Sequence, residues 1–564
     1  MDAANQIAAE IIDRWGQMVA VRAPWVTLWQ QLSEYLMPRK FGGSPQPTSA
    51  GTARESRLFD TTAIHANTVL ANGQLSWAHG ENWFAFTPPP RFKESEDAKR
   101  WFQQCTITAR DLLANSSNFY TSVHEFYLDR SCFGTAALYV EAGKKHALNF
   151  RTFPVGSFAI EEDDEGNVDT VFREFELTAR QAEQKFGNAN LPKKILDALA
   201  SKDVSQKSSK FKFIHAIYPR RAEDLKPDEG GPLNMPVASV YVELSDKHVC
   251  LESGYSEMPS MVSRFLEWNS GLGGVYGWSP AWAALPEAKQ VNLLQMWLDA
   301  LAEKAAFPPI LKPASMEGEI DLSAGAINEF DDSNPQAANA VPKEFAMGGK
   351  YDLGLQRVQE RQEAIRKHFF VDLFQMFGQT DGKNVTATWV NARLREQISQ
   401  ISPSFTRLKM ELHTPLLQRV FSLCLELGYF EPPPQELIEP LNDTMGTIPS
   451  PALSYQSRFD IEMRGMNGSA MEAALMQLQG IAQFDQSVVD NVNFDEPARE
   501  AFSGNGLPVS YLRPVRDRDA MRQQRMEQQQ QAQQMAMAES ASKAAGNVAK
   551  VDPNKVKQLA EAMQ

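Results

Sequence analysis

Cysteine is scarce in this chain, and where it occurs it is isolated. The four cysteines, Cys105, Cys132, Cys250 and Cys424, form no CxxC pair and no histidine-spaced zinc pattern. A disulfide framework and a structural zinc site are thereby removed as organising devices, and buried free thiols in a reducing compartment are expected. Histidine is equally thin. The eight are scattered without an HExxH motif, and His368 and His413 fall on helical patterns as packing or surface residues. No GxSxG elbow, GxGxxG turn or nucleophile–base pairing appears, so catalytic residues, metal ligands and cofactors are all expected to be absent. No window approaches about 18 unbroken apolar residues, which predicts no membrane span. The first fifteen residues carry acids and lack the basic and apolar regions of a signal peptide, which predicts a cytosol-like compartment.

What is present is a folded composition, 43% hydrophobic and 22% charged over 564 residues, enough for two to four lobes with their own cores. Its 56 basic and 70 acidic side chains leave a net charge of −14. Such a chain repels duplex DNA on average, although a local basic tip still permits transient contact.

One polar loop carries most of the functional information: Gly378, Gln379, Thr380, Asp381, Gly382, Lys383 and Asn384. As chemistry it looks like a phosphate cradle, and as architecture like a tip between two helices. A Walker A loop needs four residues between its glycines, then Lys and a hydroxyl residue, and it follows a buried strand. Here three residues separate Gly378 from Gly382, Asn384 replaces the hydroxyl, and a helical stripe of Leu355, Val358, Ile365 and Phe369 precedes it, interrupted by Gln362. Spacing therefore argues against a nucleotide cradle.

Two further motifs resolve to bland readings. The acidic run 161–167 has Glu174 at the twelfth position from Asp163, as a calcium loop would, but Val168 stands where that loop needs glycine. It reads as a solvated hairpin turn. The glycine-rich 270–277 lacks a dinucleotide pattern and reads as a hinge or tight backbone crossing.

Periodicity predicts helices over 4–36, about 60–78, and 95–130, with a short strand at 82–86. From 135 to 266 the texture is β: runs at 136–140, 148–153, 158–161, 168–175, 211–218, 237–244 and 262–268, with one short helix near 178–200. A helix opens at Ser279-Pro280, with Val291, Leu294, Leu298 and Leu301 on one face, and stops at Pro308-Pro309. About forty irregular acidic residues follow, with short strands at 310–311 and 344–345. A helix over 353–376 leads to the loop, and a very long helical pattern runs from 386 to about 428. Pro403 and Pro415 should kink or split that last pattern. At 1.5 Å per residue it would span ~60 Å, which suits a spoke in an assembly rather than one compact core. A helix near 468–490 and a Gln-rich, helix-prone 513–540 complete the pattern, followed by a flexible tail. The fold class is α+β, predominantly helical.

The order helix, β-containing insert, helix, polar loop, long kinked helix resembles the portal proteins of tailed bacteriophages, and more closely the head-to-tail connector family of short-tailed, podovirus-type phages. The residues that carry this are Trp25 through Trp29 to Pro38; 59–63 with 70–73 and Trp83-Phe84; 276–280 with 284–286; and 386–388. Trp278 and Trp389 depart from the family, which usually has a small basic or polar residue and an acid at these places. The resemblance spans about 1–430 and weakens beyond.

It implies a portal architecture: wing over 1–278, stem helices over 279–306 and 351–376, clip over 307–350, tunnel loop over 377–385, long kinked wing helix over 386–430, wing and crown over 431–512, and a C-terminal helical barrel with flexible tail over 513–564. It also implies a homo-dodecameric ring at one capsid vertex of the virion, assembled in the host cytoplasm, through which double-stranded DNA is packaged and ejected. Clip acids Glu317, Glu319, Asp321, Glu329, Asp331 and Asp332 would dock the terminase large subunit and later the tail adaptor and nozzle proteins. Major capsid and scaffolding proteins would be the other partners, and no membrane is involved. Two other readings stand beside it: an enzyme of nucleic-acid metabolism using the Gly378–Lys383 loop, and an internal scaffolding or core protein suggested by the Gln-rich C-terminus. The strand-rich lobe counts against the last.

Overall fold

The long N-terminal amphipathic pattern becomes a single helix, α1 (Ala3–Leu36), whose two halves serve different cores. After it come α2 (Thr62–Ala78), β1 (Phe84–Thr87), α3 (Glu96–Asn115), α4 (Phe119–Phe133), β2 (Thr135–Ala142), β3 (Leu148–Phe153), β4 (Phe158–Glu162) and β5 (Val168–Thr178). Helices α5 (Ala179–Phe186), α6 (Lys193–Ala200) and α7 (Val204–Lys207) precede β6 (Lys210–Pro219), β7 (Val237–Glu243), β8 (His248–Tyr255), β9 (Ser260–Arg264), β10 (Leu266–Glu267) and β11 (Gly277–Trp278). This computed structural model describes residues 3–40, 58–143, 145–225, 230–268, 274–306, 310–311, 319–321, 343–344, 351–375, 387–438, 448–463, 476–481, 493–495, 512–513, 515–548 and 562. The tunnel loop 377–385, clip residues Glu317, Glu329, Asp331 and Asp332, and most of the helix expected near 468–490 lie outside the described residues.

Strands β4 to β8 pair antiparallel in chain order as a five-stranded meander. Alternation gives it two apolar faces. Ile214, Ala216, Val240 and Val242 meet Ala8, Ile11, Trp15 and Met18 of α1. Phe211, Phe213 and Tyr241 face α5 and α6, where α5 starts with a Thr178–Gln181 capping box. The expected single helix near 178–200 is thus two, because Gly187 (φ +77) ends the first. A smaller sheet, ordered β3-β2-β9, packs on α4. Strand β8 escapes periodicity because it is an edge strand: only Cys250 and Gly254 of its eight residues are buried.

The second half of α1 closes on the helical centre, where the Trp29 indole donates to the Phe133 carbonyl at 3.2 Å. The expected 95–130 helix breaks at 116–118 into α3 and α4. After α8 (Pro280–Ala306), β12 (Ile310–Leu311), β13 (Lys343–Glu344), α9 (Tyr351–His368) and α10 (Val371–Phe374) comes the long pattern, as α11 (Ala387–Leu408), a π-turn at Lys409–His413, and α12 (Thr414–Glu426). Pro403 lies inside α11 without ending it, whereas Pro415 sits at the start of α12, directly after the π-turn. Proline without an N–H is tolerated at a helix start, and the widened turn supplies one. Strand β14 (Ala452–Tyr455) returns to pair with β1.

Contacts divide the chain into two units, Met1–Asp460 and Ile461–Gln564. In the second, helix Val515–Val548 is longer than the expected 513–540, and Met526, Met535 and Met537 are exposed on it.

All four cysteines are free and buried. Three histidines are buried as well. His79 Nε2 lies 2.6 Å from the Tyr127 hydroxyl, which sits 3.3 Å from His413 Nε2, and His215 bonds Ser239 at 2.9 Å while stacking on Tyr241. Desolvation, reinforced by His413, Lys409, Arg130, Lys185 and Arg173, lowers all three, His413 to about 3. The unfolded chain therefore takes up protons below about pH 6.5 that the fold refuses, so stability present above that pH is lost as pH falls. Buried Asp129, raised to about 6 by desolvation, works oppositely. The net expectation is a loss of stability as pH falls from about 7.5 to about 5.5, because three rings outweigh one carboxyl. Urea unfolding of the chain across that range measures it; a flat profile would contradict burial of the three neutral rings.

Candidate functional site

In the chain, the polar loop foreseen from the sequence follows a helical hairpin, α8 and α9, that carries exposed apolar residues. Helices α8 and α9 run antiparallel: early Glu287 pairs with late Arg361 at 2.8 Å, and late Leu298 packs over early Gly354. A Cβ on Gly354 would lie 2.6 Å from Leu298 Cδ2, so glycine permits the close approach. Beyond the helices, β12 and β13 pair antiparallel, Ile310 opposite Glu344 and Leu311 opposite Lys343. The second strand begins one residue earlier than the sequence reading. Glu319 and Asp321 are exposed within the irregular segment between them.

The hairpin's root is tied by groups within the sequence blocks named above. The Asn292 carboxamide oxygen accepts from the backbone N–H of Phe59 at 2.7 Å and of Asp60 at 3.0 Å. Asp60 in turn accepts from the Thr62 N–H at the start of α2, and from Gln362 Nε2 at 2.7 Å. Gln362, which broke the apolar stripe of α9, is thus a polar tie between α9 and α2. Ser279 Oγ donates to the Cys132 carbonyl at 2.7 Å. Gly277 crosses directly over Gly134, with Arg264 Cβ 2.8 Å from where its Cβ would be. The tight backbone crossing expected of 270–277 is seen at that glycine; 269–273 lies outside the described residues.

The acidic turn holds no cation geometry. Asp163 Oδ1 accepts from the Glu165 and Asn167 N–H groups at 2.9 and 2.8 Å, while Gly166 takes φ +84. Its neighbours are less solvated than the sequence suggested. Glu161 pairs with Arg14, and Glu162 with buried Arg264, which also binds Glu411 at 2.8 Å. The first pair fastens the β4–β5 hairpin to α1, and the second links it through Arg264 to the π-turn. Among the described residues there is no cluster of His, Cys, Asp or Glu fit for a metal.

What sequence reasoning missed lies on α8. Leu293, Met296 and Trp297 stand 42%, 37% and 56% exposed, on the side away from buried Val291 and Leu298. Tyr351, Leu353 and Leu355 add exposed apolar area at the start of α9. The signal was available: apolar residues at 293, 296 and 297 as well as 291, 294 and 298 make α8 apolar around most of its girth, and such a helix has partners on both sides. Exposed large apolar side chains grouped on one side of a helix make it a candidate association surface.

Residues 8–512 match the family described as bacteriophage head to tail connecting protein. The chain is 27% identical over 557 residues to the probable portal protein of Bordetella phage BPP-1, covering 98% of this chain and 97% of that one. It is 26% identical over 567 residues to the portal protein of Salmonella phage epsilon15, covering 98% of each. The likeness therefore continues past residue 430, where the recognisable motifs thin out.

Proposed function

Because this chain belongs to the family of bacteriophage head to tail connecting proteins and is a phage portal, we propose that it works as a closed ring of twelve copies at one capsid vertex, through which double-stranded DNA passes in both directions. The observation that carries the ring is the exposed Leu293, Met296 and Trp297 face of α8, which a monomer leaves in water. A head-to-tail contact repeated around an axis buries that face in every copy and closes on itself.

In this reading the stem comprises 279–306 and 351–376, the clip 307–350 and the tunnel loop 377–385. The wing spans 1–278 with the helix 386–430, the wing and crown 431–512, and the barrel and tail 513–564. Exposed Glu319 and Asp321 belong to the clip that docks terminase and then the tail adaptor. Capsid and scaffolding proteins contact the same particle. A ring of chains each carrying −14 repels the DNA backbone, so the polyanion slides without lasting contact. Lys383 beside Asp381 gives a weak positive ring at the loop. Translocation energy comes from a separate ATPase, in keeping with the failed Walker spacing. Neither the nucleotide-enzyme nor the scaffolding reading is favoured by any residue described above.

Deleting 377–385 should leave rings intact and reduce DNA packaging or retention in assembled particles. Subunits that fail to assemble would make the loop structural instead. Purified rings should also bind no ATP, and binding lost on Lys383→Ala would support the enzyme reading.

A further inference from the structure

The chain reaches the end of the stem through one strained residue and one docked turn. Phe370 takes φ +54, a left-handed backbone that a bulky aromatic residue rarely adopts, and it separates α9 from the single turn α10. Cavities of about 280 and 350 Å³ flank this junction, both lined by Lys367 and Phe370. Alignment with α9 is therefore broken, and packing beside the break is poor. What fixes α10 is α2. Val371 and Leu373 are buried, and the Phe374 ring meets Trp77 edge-on with centroids 5.5 Å apart. That ring also fills the space above Gly73, where a Cβ would lie 2.5 Å from Phe374 Cε1.

Gly73 is buried in the middle of a helix, where glycine is less favourable than alanine by roughly 0.5–1 kcal/mol. No positive φ calls for it: Gly73 is not among the left-handed glycines. The gap it leaves is its function. The floor around it is rigid, since the next residue Gln74 accepts from Arg130 at 3.2 Å and Asn67 accepts from the Ser131 hydroxyl at 2.8 Å. Trp77 lies one turn on, on the same face.

We propose that Gly73 and Trp77 form a socket for Phe374 that positions α10, and hence the point at which the chain leaves the stem for the channel. The link to the channel rests on the reading of 377–385 as the tunnel loop; the socket itself does not. These are positioning residues, acting through α10.

The test is Gly73→Ala in the full chain, with spin labels on Ser76→Cys and Gln375→Cys. The four native cysteines are buried, so labelling is confined to the added sites. Alanine is the better helix former, so α2 keeps its stability. To restore an ordinary carbon contact the Phe374 ring must move by more than ~1 Å. We expect a shifted or broadened label distance, normal rings, and loss of DNA-filled particles. Adding Phe374→Ala, which removes the ring carbons Cγ, Cδ1 and Cε1 that the new methyl would meet, should bring the distance back toward its original value. An unchanged distance in Gly73→Ala overturns the socket, as does a distance that Phe374→Ala leaves equally displaced. A shifted distance with normal packaging overturns its role in positioning. If deletion of 377–385 has no effect on DNA while the distance still shifts, the loop reading fails and the socket stands.

Discussion

Trp297→Glu is expected to abolish ring formation while leaving the subunit folded. The indole is more than half exposed in the single chain, so its replacement removes little from the core. In a ring it would lie in a contact repeated at every interface. Losing the buried aromatic surface forfeits about 2–3 kcal/mol per interface. Burying a carboxylate there adds an unpaired charge that apolar surroundings do not tolerate. Closure needs all interfaces at once, so the losses compound around the ring. Sedimentation should show monomers with an unchanged circular dichroism spectrum, and Trp297→Phe should still assemble. Normal rings from Trp297→Glu would place the interface elsewhere.

The largest expected loss of fold stability comes from Arg130. Its guanidinium is fully buried, yet among the described residues no carboxylate pairs with it directly. It donates to Gln74 at 3.2 Å, Ser263 at 3.1 Å, the Arg264 carbonyl at 3.1 Å and the Ser404 carbonyl at 2.7 Å, and it lies over the Phe265 ring. Burial lowers it to about 10, which still leaves it charged near neutrality. One side chain thus ties α4, α2, β9 and α11. Arg130→Ala strands several buried acceptors at about 1–3 kcal/mol each, so a destabilisation of roughly 3–5 kcal/mol is expected. Lysine can satisfy only part of this set because its donors radiate from one point rather than a planar fork. Denaturant unfolding reads the change directly. A loss below about 1 kcal/mol would mean that water replaces the fork, and that Arg130 is not the tie between these elements.

Legibility in the sequence followed the strength of local signals. Ile7, Ile11, Trp15 and Met18 announce both α1 and the face it buries, because one helical stripe meets one sheet face. Strand β8 stays hidden because its exposed edge carries polar residues. The breaks at 116–118, Gly187 and Phe370 escape notice because apolar spacing continues across them. Proline proved an incomplete guide. Pro415 marks a real change of helical register, whereas Pro403 is accommodated within a continuous helix.

At the candidate site, the letters of Gly378–Asn384 were enough to refuse a Walker cradle. The roles of Asp60, Asn292 and Gln362 cannot be read in sequence because their partners lie hundreds of residues away. The same distance hides Gly73, whose meaning comes only from Phe374. Apolar spacing around α8 did contain the exposed Leu293, Met296 and Trp297 face, but a single-face reading of Val291, Leu294, Leu298 and Leu301 obscured it.

Electron microscopy of the purified full-length chain tests the central claim most directly. The account predicts closed rings with a central hole wide enough for duplex DNA, lost in Trp297→Glu and retained when 377–385 is deleted. Monomers persisting at high concentration would contradict it.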